Sequence, residues 1–227
     1  NNTYYNGNGF VAPGTPGDAA RIEEGSTIGS FYIWKFAGFD DDGNFLLYNK
    51  DGEVIPAEKK TENDKQFIGN YTPKLILGWN NTFSYKNFDL GINMRSWIDF
   101  DVYNTINMYY GIQGRGNTNV LKEAYGKFNH IKGEKQICDY YLEDGTFLKI
   151  DAITLGYSLN MKKYTNNLVD RIRIYATVGN VCTITGYSGM NPEVNITGWD
   201  QGTEKFWDTG SFYPMARTYT LGMQFNF

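Results

Sequence analysis

Two aspartates, Asp99 and Asp101, are the best candidates in this sequence for acid–base chemistry. They lie two residues apart in an alternating segment, so in a strand both would point to the same face. Paired carboxylates can act as a general acid and a general base. A catalytic site also needs a partner constellation around the pair, and the sequence offers none. The pair therefore fits a polar wall better than an active site, and we expect no enzymatic activity.

The other reactive side chains are few. His130 is the only histidine, so it cannot build a multi-histidine metal site. Cys138 and Cys182 belong to no Cys-x-x-Cys motif, and their spacing does not decide between free thiols and a disulfide. The acidic turns at 40–43 and 49–52 are possible calcium loops, but a solvated acidic loop fits them better. We therefore expect no cofactor.

The composition narrows the class of protein. The 227 residues are 41% hydrophobic and 17% aromatic, which is too apolar for a disordered chain. The mean hydropathy is nevertheless −0.48, and no run approaches the roughly 18 apolar residues of a spanning helix. These two observations argue against a membrane protein built from helices. The net charge of −4 argues against a nucleic-acid partner, which usually meets a basic face.

Strict alternation of apolar and polar residues identifies the elements that would position these side chains. Residues 218–227 alternate over ten positions, about what a tilted strand needs to cross a bilayer. The same pattern predicts further strands, and a change of phase near Asp151 predicts a bulge. The strands are 74–85, 88–101, 146–159 and 171–179, and an aromatic-rich segment, 28–37, is a sixth candidate whose faces the pattern does not assign.

The two faces of these strands differ in charge. Across the five patterned strands, one face carries no charged residue. The opposite face carries seven, namely Lys74, Asp89, Arg95, Asp99, Asp101, Arg171 and Arg173. A charge-free, ring-rich face on long strands is typical of a surface that meets lipid.

The lengths of the connections point to the same architecture. They run to roughly 36, 2, 44, 10 and 34 residues, so long and short strictly alternate. Transmembrane barrels place short turns at one end and long extracellular loops at the other. An open six-stranded sheet would leave unpaired backbone in lipid, so we expect the chain to be the C-terminal part of a larger barrel or to pair with other chains that complete one. The expected fold is an all-β, antiparallel, up-and-down transmembrane β-barrel. Residues 28–227 supply about six C-terminal strands, and residues 1–27 form a periplasmic turn or an upstream barrel segment.

Several motifs resemble one family, and they occur in that family's order from about residue 25 onwards. The chief one is Thr-Gly-Tyr-Ser-Gly-Met-Asn-Pro-Glu at 185–193. The others are 29–32, 68–73, 101–104, 142–150, 153–157, 179–180, 213–222 and the terminal Phe227. Together they resemble the C-terminal end of the SusC/RagA family, the TonB-dependent outer-membrane transporters of Bacteroidetes.

The resemblance implies a function that the alternation alone does not. It implies import of oligosaccharides or peptides across the outer membrane through a lipid-embedded barrel. It also implies a SusD-like surface lipoprotein as a lid, and TonB acting through an N-terminal region outside these residues. Phe227, an aromatic at the end of an amphipathic strand, resembles the signal for barrel assembly.

If the chain binds substrate, its polar face and long loops are the expected places. Rings beside aspartate and asparagine suit stacking on sugars, and they suit packing against a lid equally well. The candidates are Arg95, Trp97 and Asp99 on the polar face, Tyr109 and Tyr110 in the second long loop, and Trp199 and Trp207 in the last one.

Two other functions remain open at this stage. A soluble β-sandwich adhesin or carbohydrate-binding module would explain exposed rings and glycine-rich loops, but not a charge-free face. A TonB-independent porin would share the barrel wall, and only the sequence upstream would distinguish it.

Overall fold

The computed structural model describes residues 4–5, 22–23, 25–27, 29–113, 119–166, 168–193, 207–208 and 215–227. No helix in these ranges is long and apolar enough to span a membrane. The strands are β1 (Tyr4–Tyr5), β2 (Ile22–Glu23), β3 (Ser30–Ile33), β4 (Lys35–Phe39), β5 (Phe45–Tyr48), β6 (Val54–Pro56), β7 (Gln66–Asn70), β8 (Leu75–Tyr85), β9 (Phe88–Ile98), β10 (Asp101–Asn104), β11 (Leu142–Asp144), β12 (Phe147–Asn160), β13 (Arg171–Thr185), β14 (Trp207–Asp208) and β15 (Thr218–Asn226). The helices are α1 (Thr105–Tyr110) and short 3-10 turns at Ala57–Lys59, Glu62–Asp64, Lys122–Tyr125 and Asp139–Tyr141.

The described residues divide into two compact units. The sheet unit comprises Lys74–Ile98, Thr146–Gly186 and Tyr213–Phe227. The connection unit comprises Asn1–Pro73, Asp99–Gly145 and Tyr187–Phe212. The long strands belong to the sheet unit, and the long connections between them supply the second unit.

The sheet unit is one antiparallel sheet in the order β8-β9-β12-β13-β15, so strands that follow one another within it also pair. A two-residue turn, Lys86 and Asn87, joins β8 to β9. Lys86 has a φ of 53°, the left-handed backbone that such tight hairpins require. Residues 161–170 join β12 to β13. This confirms the predicted up-and-down sheet and its two short connections.

The predicted bulge lies at Asp151. Ile150 pairs with Met94 and Ala152 pairs with Asn93, so Asp151 is an extra residue in β12. An extra residue reverses the phase of alternation on either side of it. Apolar side chains therefore stay on one face along the whole of β12, as the sequence pattern predicted.

The apolar face of the sheet is exposed. Leu221 is 79% exposed, Phe83 58% and Leu155 51%, although each lies in a well-paired strand. In a soluble sandwich a second sheet would cover such side chains. Large contiguous apolar surface on a paired sheet is instead the mark of a face that contacts lipid.

Two strand boundaries differ from those predicted. The prediction of one strand over Phe88–Asp101 was wrong, because β9 ends at Ile98 and Asp99 turns the chain with a φ of 60°. Asp101 begins a separate strand, β10, so the two aspartates do not share a strand face. At the other boundary β13 continues past the predicted end at Gly179, because its pairing with β12 resumes beyond an irregularity and runs to Thr185.

The candidate strand 28–37 is not part of the five-stranded sheet. It divides into β3, which pairs with β7, and β4, which pairs with β5. Between them Trp34 forms a lone bridge with Cys138. Phe31 and Trp34 are buried in a core and Phe36 packs against it, while the division into two differently paired strands leaves no single pair of faces to assign.

The connection unit has a hydrophobic core of its own, so its long segments are not open loops. Small sheets surround that core, including β4-β5-β6 and β11-β10-β14. Residues 119–128 contain one 3-10 turn, at Lys122–Tyr125, and the α-helix α1 lies earlier in the chain. The largest fully buried side chains include Tyr103, Tyr141, Phe31, Phe45, Ile33, Leu47, Met108 and Ile131.

The two faces of the sheet can be tested on adjacent residues of β15. We expect Leu221→Arg to destabilise the folded barrel by about 2–4 kcal/mol, since it places a charge in lipid near the middle of the strand. Thr220→Arg should cost much less, because Thr220 pairs with Thr177 on the polar face. Folded fractions of the full-length protein in lipid vesicles, followed by heat-modifiable mobility, measure both. Equal losses for the two variants would show that the faces are wrongly assigned.

Candidate functional site

An ion pair crosses the polar face of the sheet from β9 to β13. Arg173 Nε donates to Asp89 Oδ1 at 2.9 Å, and a second guanidinium nitrogen contacts Asp89 Oδ2. These residues lie on strands that flank β12, so the pair must pass over the middle strand. It does so above Gly156, where a Cβ would collide with both charged groups. The glycine therefore makes room for the ion pair.

The same arrangement of a long side chain over a glycine recurs on the next strand. The ring of Tyr175 lies over Gly222, where a Cβ would collide with it. Arg173 approaches the same ring, with its guanidinium carbon 5.0 Å from the centroid. The Asp89–Arg173 ion pair and the Tyr175 ring thus form one continuous layer of side chains across β9, β12, β13 and β15.

A row of hydroxyl groups lies beside this layer. Thr82, Thr154, Thr177 and Thr220 occupy matching register positions, with Gly91 completing the row on β9. The hydroxyls of Thr154 and Thr177 are 2.9 Å apart and share a hydrogen bond. The row offers donors and acceptors to whatever occupies this side of the sheet.

Arg95 and Trp97 lie on the polar face, as predicted. Arg95 Nε is 3.0 Å from Asp151 Oδ2, so the residue extruded by the bulge binds the arginine of the neighbouring strand. Trp97 packs against Phe147, with ring centroids 5.5 Å apart. Both side chains are half-buried, and they are structured parts of the wall.

The other predicted residues lie in different settings. Asp99 is exposed at the turn that ends β9. Tyr109 and Tyr110 lie on α1; Tyr109 packs on the hydrophobic core under Lys135 Nζ at 4.0 Å, and Tyr110 is 41% exposed. Trp199 lies outside the described residues, and of Trp207 only the backbone, in β14, is described. Phe227 follows the end of β15 and is 82% exposed. The proposed roles of all of these residues stay predictions.

Three of the family-like motifs meet in the connection unit around Glu143. Glu143 Oε1 accepts hydrogen bonds from Asn104 Nδ2 at 2.9 Å and Asn107 Nδ2 at 3.2 Å. Ser188 binds both carboxylate oxygens, with its hydroxyl at 2.8 Å from Oε1 and its backbone nitrogen at 2.8 Å from Oε2. A single carboxylate thus ties β10, α1, β11 and the 187–193 segment together.

Sequence reasoning did not single out this Glu143 network. Its members are ordinary polar residues far apart in the chain, and no spacing rule connects them. The signal that existed was their position, since Asn104, Glu143 and Ser188 each lie inside a motif of the family resemblance.

The cysteines and acidic turns show no reactive arrangement in the described ranges. Cys138 and Cys182 are free thiols, and burial raises the pKa of Cys138 well above its ordinary value. Asp40 closes its own turn by accepting from the backbone of Asn44 at 2.7 Å and of Asp42 at 3.0 Å. Hydrogen bonds, chiefly from the Asn44 side chain, lower the pKa of Asp40. Among the described residues, no group of three or more His, Cys, Asp or Glu side chains is placed to hold a metal ion.

Comparison with known proteins gives relatives of one kind. No protein-family model matches the chain. The TonB-dependent receptor P3 of Formosa agariphila is 28% identical over 91% of the chain. The TonB-dependent receptor SusC of Bacteroides thetaiotaomicron is 28% identical over 89%. The chain spans only 23% and 20% of the lengths of these relatives.

Solved structures give the same fold. The RagAB peptide transporter aligns with 95% of the chain at a TM-score of 0.76 and 21% identity. The RagAB peptide importer in its open-open state aligns with 96% at a TM-score of 0.71 and 22% identity. Each alignment covers 24% of the solved chain. The resemblance to SusC-like TonB-dependent receptors, the transmembrane β-barrel fold and the outer-membrane location are thus confirmed, and none of these relatives is named as an enzyme.

The role of Gly156 can be tested with a matched glycine. We expect Gly156→Ala to destabilise the barrel by about 1 kcal/mol, because the new methyl group separates Asp89 from Arg173. Gly91→Ala should be neutral or slightly stabilising, since its Cβ would meet open space and alanine restricts the unfolded chain. Urea unfolding of the full-length protein in vesicles measures both.

A double-mutant cycle completes this test. Once Gly156→Ala has broken the ion pair, adding Asp89→Asn should change stability no further. Full additivity of the two substitutions, or an equal cost at Gly91, would refute the role assigned to Gly156.

Proposed function

We propose that this chain forms part of the wall of a TonB-dependent importer in the outer membrane. The observation that carries the proposal is the two-sided sheet, which is apolar and exposed on one face and charged, hydroxyl-rich and glycine-rich on the other. A membrane barrel with a polar interior needs such a wall. The similarity to TonB-dependent receptors supports active import over passive diffusion.

The substrate class that we propose is an oligosaccharide or a peptide. The polar face supports recognition by hydrogen bonding, because threonine hydroxyls, an arginine–aspartate pair and the Tyr175 ring lie side by side. The solved neighbour is named a peptide transporter, and one relative is SusC. Because the chain covers about a quarter or less of these proteins, the rest of the barrel also contributes to specificity.

We also propose a SusD-like surface lipoprotein as the partner of the whole protein, with TonB as the source of energy. The long connections fold into an ordered unit with its own core, and ordering so much chain carries a large entropic cost. Such an ordered surface is useful if it binds a partner protein, whereas the loops of a simple pore do not need it. The TonB contact is assigned to the part of the protein that lies outside this chain.

The soluble adhesin is disfavoured and the porin remains the rival. A soluble module would not leave Leu221, Phe83 and Tyr219 exposed on one face of a paired sheet. A porin would share every feature of the wall. A porin and a TonB-dependent importer differ in their energy source and in their partner, so these are the properties to measure.

Purification from native membranes and uptake in a tonB deletion strain together test the proposal. We expect the full-length protein to co-purify in mild detergent with a SusD-like surface lipoprotein. We also expect growth on the nutrient, at limiting concentration, to be lost without TonB and restored by complementation. A barrel that purifies alone and imports equally well without TonB would establish the porin function instead.

A further inference from the structure

The connection unit contains a cavity of about 340 Å³ beside the Glu143 network. This volume lies at the lower end of the range for ligand sites, about 300–1,000 Å³. Its lining combines polar residues, which include Asn107 and Ser188, with apolar ones, which include Ile106, Leu121 and Met190. The cavity therefore joins a polar edge to an apolar pocket, the usual form of a selective small site.

The polar edge presents a fixed hydrogen-bond acceptor. Asn107 Nδ2 donates to Glu143 Oε1 at 3.2 Å and to Ser188 Oγ at 3.2 Å, so both amide hydrogens are used within the protein. Within the described ranges no donor reaches Asn107 Oδ1. The carboxamide is thus held in one orientation with its oxygen available. An oriented amide oxygen suits a ligand N–H, such as that of a peptide main chain.

The apolar side favours an aliphatic side chain over a sugar ring. Sugar sites usually present the face of an exposed aromatic ring, whereas Phe128, the aromatic residue of this lining, is only 3% exposed. Met190 is 58% exposed, and its flexible thioether adapts to apolar groups of different shape. Ile106 and Leu121 complete an aliphatic pocket.

Both signs of charge occur in the lining. Glu123 and Lys127 line the same cavity, and the structure describes no ion pair made by either of them. A carboxylate and an ammonium group beside an apolar pocket complement the charged termini of a short peptide, whereas a neutral glycan offers no opposite charge.

We propose that this cavity binds an aliphatic side chain of a peptide, with Asn107 Oδ1 accepting a main-chain N–H next to that side chain. The inference deepens the proposed import function by assigning a substrate class and rests on it. The aliphatic lining, whose one aromatic ring is buried, favours a peptide, whereas the import function alone allows glycans equally.

Protection of an introduced thiol locates the ligand directly. The full-length protein with its lipoprotein partner carries Met190→Cys in a background where Cys182 and the other exposed cysteines are serine. Cys138 is 0% exposed and stays unreactive. A decapeptide pool with one fixed leucine among Gly, Ser and Asn should slow maleimide labelling about tenfold at roughly ten times its Kd. An otherwise identical pool in which serine replaces the fixed leucine should give no protection.

Controls make every outcome decisive. Tyr164→Cys, which replaces a residue 82% exposed on the 161–170 turn, should label at the same rate with or without peptide. Leu121→Ser should abolish protection by the leucine pool while the barrel stays folded. Protection by maltoheptaose, equal protection by both pools, or no protection by any of these probes would overturn the proposal. Protection that persists in a barrel whose uptake is independent of TonB would refute TonB-dependent import and leave the site standing.

Discussion

The antiparallel backbone ladder of the sheet is the constraint on which the rest of the structure depends. In hydrocarbon an unpaired N–H or C=O finds no water, and leaving one there costs several kcal/mol. The ladder from β8 to β15 satisfies these groups between neighbouring strands and sends side chains alternately to two faces. Leu221 and Phe83 can therefore remain exposed on one side while Asp89 binds Arg173 on the other. The function proposed for the wall follows from that division.

The two units place their aromatic residues in opposite ways. The sheet unit carries Phe83 and Tyr219 outward, whereas the connection unit buries Phe31 and Tyr103 in a conventional core. On the polar side of the wall, Gly156 leaves space for an ion pair that spans three strands. The recognition surface that we propose lies instead in the connection unit, around Asn107 and Met190.

The sequence predicted those parts of the structure in which a local pattern determines the outcome. Period-two alternation was sufficient for β8, β12 and β15, and the phase change located the bulge at Asp151. The alternation failed to predict where the chain leaves the sheet, because Asp99 continues the pattern although its backbone is left-handed. The segment 28–37 showed no pair of faces to assign, since it divides into β3 and β4, which belong to different sheets. The Glu143 network joins residues distant in sequence, so only folding reveals it.

The central claim is that one face of β15 meets lipid and the other meets water. Nitroxide scanning of residues 218–226, in the full-length protein reconstituted in vesicles, tests it most directly. Collision rates with oxygen, which concentrates in lipid, should peak at Tyr219, Leu221, Met223 and Phe225. Collision rates with a water-soluble nickel complex should peak at the residues between them, such as Thr220 and Gln224. Rates that do not alternate, or nickel access equal at both sets, would contradict the account.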